Sequence, residues 1–136
     1  MNTVAKNSLA VVSGILIWGI VNFASLALLA IGWPELGDVG KAAQSSGDYS
    51  QFTLTMLIIF LLMWLWVNVA AGWLTALIAK HSLPVWVVVG LLSLFALYNH
   101  LFVYWDNLPN WYNIAVIVIF PPSILAGGLL AKINSR

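Results

Sequence analysis

Two histidines, four carboxylates and four phenols make up the acid–base chemistry of this 136-residue chain, and it has no cysteine. Only one group of that kind other than a phenol falls inside a long apolar stretch: His100, in Tyr98-Asn99-His100. On a helix His100 shares a face with Tyr104, and Asp106 follows closely enough in sequence to approach it. His100 and Asp106 therefore form a candidate polar site near one membrane boundary. One imidazole and one carboxylate fall short of the ligand set of a zinc site, so no metal or other cofactor is expected. The plain reading is an interfacial histidine with its hydrogen bonds satisfied, and the sharper one is a pH sensor or a ligand contact. His81, beside Lys80, reads as a solvated turn residue. No nucleophile is paired with a base, and no glycine loop is spaced to cradle phosphate. The chain reads as non-enzymatic.

The elements that carry these residues are membrane spans. The chain is 62% hydrophobic and only 7% charged, whereas soluble domains carry about 25% charged residues. A net charge of +1 implies no nucleic-acid partner. A stretch of about 20 apolar residues crosses a ~30 Å hydrocarbon core. Four such stretches are expected, at about 9–32, 54–79, 84–105 and 112–131, giving an all-α polytopic protein with a single four-helix transmembrane domain over residues 1–136. The first could be mistaken for a secretory signal, but its apolar region far exceeds the usual ~7–15 residues. Residues 34–51, rich in Gly and Ser, read as a surface loop with at most a short turn of helix. Pro84 suits the first turn of a helix, so the second and third spans should form a tight hairpin.

Charge sets the expected orientation. Lys6, Lys80, Lys132 and Arg136 fall on one side with no acid, while Glu35, Asp38, Asp48 and Asp106 fall on the other with Lys41 alone. Cytoplasmic loops carry the excess of Lys and Arg, so both termini are expected in the cytoplasm. Trp33, Tyr49, Phe52, Tyr104, Trp105, Trp111 and Tyr112 fall at the opposite boundary, where such rings anchor helix ends.

Near the span midpoints lie Asn22, Asn68 and Ser93, with Pro121 and Pro122 on the fourth span. Two prolines remove two N–H donors and should kink that helix, leaving the carbonyls of Ile117 and Val118 without partners. The amides of Asn22 or Asn68, or the hydroxyls of Ser93 or Ser123, are the expected donors to them. This layer reads first as structural glue and second as a polar pocket. A transport site would call for a matching break in a second span, which the sequence lacks. No Asp, Glu, Lys or Arg lies inside a span, which counts against proton relays and ion pathways.

Asn68, Gly72, Thr75 and Ala79 recur at helical spacing on one stripe, which should face protein. Ala71–Ala76 and Ala126–Ala131 share the pattern A-G-x-L-x-A, and glycines there let helices approach closely, so Gly72, Gly127 and Gly128 should serve packing of the second span against the fourth, or of either against another copy. Ser13, Gly14 and Gly19 suit the same role in the first span. Trp64 and Trp66, two apart, cannot share a face, so one of them should meet lipid or a partner.

The stretch Ala71–Ala131 resembles small uncharacterised four-helix bacterial inner-membrane proteins. The residues concerned are Gly72–Ala79, Pro84, Pro109-Asn110-Trp111-Tyr112, Pro121-Pro122 and Gly127-Gly128. The resemblance implies a four-span topology and a bacterial inner membrane, and no activity. The expected role is a structural or accessory subunit, or a self-associating module, whose partners are the lipid bilayer and a homo-oligomer or larger membrane complex. The alternative is an oligomeric pore or carrier for a small neutral or hydrophobic solute.

Overall fold

The computed structural model describes residues 2–134, with side chains through Lys132. Met1, Ser135 and Arg136, the last of them one of the four expected inner cations, lie outside the described residues. The fold is all-helical: α1 (Thr3–Gly32), α2 (Pro34–Ser46), α3 (Leu54–Ala79), α4 (Leu83–Tyr98), a π turn (Asn99–Val103) and α5 (Asn110–Asn134). Four segments are long and apolar enough to cross a membrane: α1, α3, α4 with its π turn, and α5.

α1 starts well before the expected residue 9 because the Asn2 side chain accepts the Val4 N–H at 2.9 Å and caps the helix there. Its 30 residues run to about 45 Å at 1.5 Å each, so its ends reach past the hydrocarbon. Pro34, which has no N–H to donate, closes it and opens α2. The expected surface loop at 34–51 is thus corrected: 13 of its residues form a helix, with Glu35 in its first turn and Gly47 in the left-handed conformation at its end. Gly and Ser are poor helix formers, but Leu36, Gly40 and Ala43 align on one face, and Leu36 and Ala43 are buried. A Cβ built on Gly37 would stand 3.0 Å from that of Ala30, so α2 lies closely on the end of α1. Beyond it, the Asp48 carboxylate accepts the Ser50 N–H at 2.9 Å, which holds its pKa below the ordinary value. Thr53 then caps α3.

α3 ends at Lys80, whose φ of 62° is the left-handed value usually left to glycine. With Pro84 in the first turn of α4 this makes the expected hairpin. The third span is not the single helix expected over 84–105. From Asn99 it widens into a π turn, in which the Tyr104 N–H reaches the Asn99 carbonyl at 2.9 Å. Asn99 also donates its side-chain amide to the Phe95 carbonyl at 2.8 Å.

α3 is the central helix. Along it Asn68, Gly72, Thr75 and Ala79 are all buried. A Cβ on Gly72 would overlap the Ile124 carbonyl of α5, and one on Gly127 would overlap the Val69 carbonyl of α3, so the two backbones touch at both glycines. Gly128 faces Val85 of α4. On another side of α3, Gly14 of α1 meets the Thr75 hydroxyl, which is itself tied to the Ala71 carbonyl at 2.7 Å. Gly19 faces open space, so of the two glycines expected to pack in α1 only Gly14 does.

The two ends of the bundle differ in charge. Asn7 is joined to His81 at 2.7 Å, which brings the start of α1 to the α3–α4 turn. Lys80 and Lys132 flank a common hollow there. Glu35, Asp38, Asp48 and Asp106 belong to the other end with Lys41, whose amine is 4.0 Å from the exposed Asp38 carboxylate. An exposed pair of that kind adds little stability.

Because the obstacle at Gly72 is backbone, which cannot swing aside, Gly72→Leu should cost stability at or above the top of the ~1–3 kcal/mol typical of overpacking. Gly19→Leu should be near neutral. Thermal unfolding of both variants in detergent checks the contrast, and a neutral Gly72→Leu would overturn this packing.

Candidate functional site

At mid-depth the expected polar layer is organised by a ring. The Trp18 indole N–H donates to the Asn68 side-chain oxygen at 2.9 Å. Its ring stacks on Trp64, with centroids 5.8 Å apart and planes at 16°, and meets Phe95 and Phe120 edge-on at 5.5 and 6.4 Å. Since the Asn68 oxygen accepts from Trp18, its amide nitrogen points elsewhere. That nitrogen, the Asn22 oxygen and the Ser93 hydroxyl are buried without hydrogen-bond partners.

None of these groups reaches the proline break. α5 continues as a helix through Pro121 and Pro122, and Phe120, expected to leave helical geometry, stays in it fully buried. No described side chain donates to the Ile117 or Val118 carbonyl, so the expected pairing across the bundle is corrected. Asn68 is committed to Trp18, and Val118 lies on the exposed face of α5. Ser123 turns back within its own helix, donating to the carbonyls of Ile119 at 2.6 Å and Phe120 at 3.0 Å.

The second cluster lies at the acidic end. His100 is 6% exposed, and its Nδ1 is 2.8 Å from the Asn113 side-chain oxygen. The orientation of that amide follows from its other bonds. Asn113 Nδ2 donates to the carbonyls of Tyr104 and Leu108, each at 3.2 Å, so its oxygen must face the imidazole. An oxygen needs a donor, so Nδ1 carries hydrogen, and in the neutral ring Nε2 keeps a free lone pair. The expected partnership of His100 with Asp106 is not formed. Asp106 is exposed in the turn after the π turn, with no hydrogen bond or ion pair to the ring, and the buried Asn113 takes the carboxylate's place.

Around His100 the boundary aromatics turn inward. Tyr104 and Tyr112 lie 5.5 and 5.9 Å from the imidazole, and Tyr49 bridges Phe52 at 5.9 Å and Tyr104 at 5.4 Å. They border a cavity of about 160 Å³ that Phe60 and Trp64 of α3 also line. Among the described residues no Asp, Glu, Lys or Arg borders it. Among the described residues no cluster of His, Cys, Asp and Glu is arranged to hold a metal ion.

Trp18 and Asn113 were not among the sequence candidates. Each sits on a stripe that repeats every three or four residues: Ala10, Gly14, Trp18, Asn22 in α1, and Asn113, Val116, Phe120, Ile124, Gly127, Ala131 in α5. Extending those stripes to their ends would have found both.

The four apolar spans are those of an integral membrane protein of the helical-bundle class. The chain matches no protein-family model, no curated protein and no solved structure.

Two stability measurements check these geometries. Interhelical bonds in membranes average about 0.6 kcal/mol, so Trp18→Phe and Asn68→Leu should show a coupling of that size in a double-mutant cycle, because each removes one partner of one bond. Asn113→Leu should cost more, about 1–3 kcal/mol, since it leaves the buried His100 Nδ1–H and the Leu108 carbonyl without that partner, while the Tyr104 carbonyl keeps the N–H groups of Asn107 and Leu108. Equal costs for Asn68→Leu and Asn113→Leu would contradict this ranking.

Proposed function

We propose that this protein catalyses no reaction and serves as a structural or accessory subunit, or a self-associating module, in a bacterial inner membrane with both termini in the cytoplasm. The observation that carries this reading is Trp66. It lies near the middle of α3, is 58% exposed, and its indole N–H makes no hydrogen bond to any described residue. Indole rings concentrate at membrane interfaces, where headgroups and water accept the N–H. At mid-depth the acceptor has to come from another protein helix. Beside Trp66 runs a groove of about 490 Å³ bordered by Ile17, Val21, Ala70 and Trp73. Its walls are apolar and partly small, which suits a transmembrane helix of a second copy or of a partner subunit. The bacterial inner membrane is assigned from the resemblance of Ala71–Ala131 to small bacterial inner-membrane proteins.

The orientation rests on Lys6, Lys80 and Lys132 sharing one end of the bundle with no acid. A second reading, an oligomeric pore or carrier for a small neutral or hydrophobic solute, draws its support from the unpartnered polar atoms of Asn22, Asn68 and Ser93 at mid-depth.

Native mass spectrometry from mild detergent should give a dimer or larger assembly that Trp66→Leu weakens severalfold. A strictly monomeric protein with no co-purifying subunit would sink the proposal, and so would reproducible saturable uptake by the protein in liposomes. For orientation, single cysteines at Ser46 and Ser82 are labelled in intact cells with an impermeant thiol reagent. Labelling at Ser46 alone is expected, and labelling at Ser82 alone would reverse the topology.

A further inference from the structure

We infer that the cavity beside His100 is a binding site for one small uncharged ring carrying a single O–H or N–H donor, a phenol being the simplest case. Size, walls and polarity each restrict the occupant. The space is an open-mouthed one of about 160 Å³, which matches the size of a single ring. The walls are rings and aliphatic groups, Phe52, Phe60, Trp64 and Tyr112 among them, which favour stacked or edge-on contact with another ring. Asp48 and Asp106 are exposed and neither borders the space. A charged ligand would therefore lose its hydration with no counter-ion to replace it.

The polar requirement comes from His100. Its Nδ1 is spent on Asn113, whose amide is locked by two carbonyls. Nε2 makes no hydrogen bond to any described residue, and it is not sealed in by protein atoms as the Asn68 amide nitrogen and the Ser93 hydroxyl are. The imidazole borders the cavity together with the Tyr49, Tyr104 and Tyr112 rings, and among these lining groups its lone pair is the acceptor that carries no donor of its own. Water satisfies such a place poorly, because it needs two to four polar partners and most of this lining is apolar. A ring with one donor satisfies the nitrogen and covers the walls together. The site is separate from the Trp66 groove on α3, so its occupancy does not depend on the subunit role proposed above.

The experiment titrates the purified protein in detergent with phenol and with benzene, and follows thermal stability and saturable binding. Phenol should bind and raise the unfolding temperature, with benzene weaker by about five- to tenfold, the equivalent of one hydrogen bond. In His100→Phe the preference for phenol should vanish. Because that variant leaves Asn113 without its partner and can fail to fold, Leu26→Trp supplies an independent arm. Leu26 is a half-buried wall residue from α1, and a larger ring there should fill the space and abolish binding of both ligands while the protein stays folded. Equal affinity for phenol and benzene in the unaltered protein, no saturable binding of either, or undiminished phenol binding by Leu26→Trp would each overturn the assignment.

Discussion

The bundle depends on one contact, the meeting of the α3 and α5 backbones at Gly72 and Gly127. In lipid, apolar side chains gain nothing by leaving solvent, so helices associate through close packing and hydrogen bonds. Here the glycine of each helix faces a carbonyl of the other, Ile124 for Gly72 and Val69 for Gly127. That mutual fit fixes both the separation of the two helices and their register. The rest is arranged from it. Gly128, one residue on from the contact, turns toward Val85 and sets α4, and Thr75, three residues beyond Gly72, presents the surface on which Gly14 seats α1. Tying the Thr75 hydroxyl to its own Ala71 carbonyl keeps a polar group quiet inside the most crowded part of the core.

Once the helices are fixed in this way, the mid-depth residues have little freedom. Trp18 fills the space between α1, α3, α4 and α5 and touches Trp64, Phe95 and Phe120, one ring from each of the other three helices. Trp18 takes up the Asn68 oxygen and Val118 lies on the exposed face of α5, so the layer is aromatic, with Asn68 serving mainly as acceptor for one indole. The Asn22 oxygen, the Asn68 amide nitrogen and the Ser93 hydroxyl are left without hydrogen-bond partners.

The four spans were legible because crossing hydrocarbon sets a length and composition that no neighbouring residue can override. The same holds for the stripe through Asn68 and Gly72, since small and polar residues at helical spacing have few places to go but a protein interface. α2 was not legible: its Gly and Ser argue for a loop, and only packing of Leu36, Gly37 and Ala43 on α1 decides otherwise. The π turn escaped for a related reason. Asn99 looks unremarkable in an apolar run, and the extra residue in that turn depends on where Tyr104 and Asn113 settle. Sequence proximity points from His100 to Asp106, whereas its actual partner, Asn113, arrives from the next helix, 13 positions away.

Glycine contact and cavity are two ends of one pattern. Along the buried stripe of α5, Ala131 and Gly127 give way to Ile124 and Phe120 and then to Val116 and Asn113, with Tyr112 beside them. The facing stretch of α3 changes likewise from Gly72 and Ala71 to Trp64 and Phe60. Small residues let backbones touch and leave nothing between them to shift. Large rings fill volume only in the few orientations their edges and faces permit, and their stacking leaves gaps that aliphatic packing would close. The α3–α5 contact is therefore closest at Gly72 and Gly127, and a cavity opens toward the acidic end among Tyr49, Tyr104 and Tyr112. A buried imidazole at that place is tolerable only if its ring nitrogens are served. Asn113 serves one of them, and the ring itself borders the space that the aromatic side chains leave open.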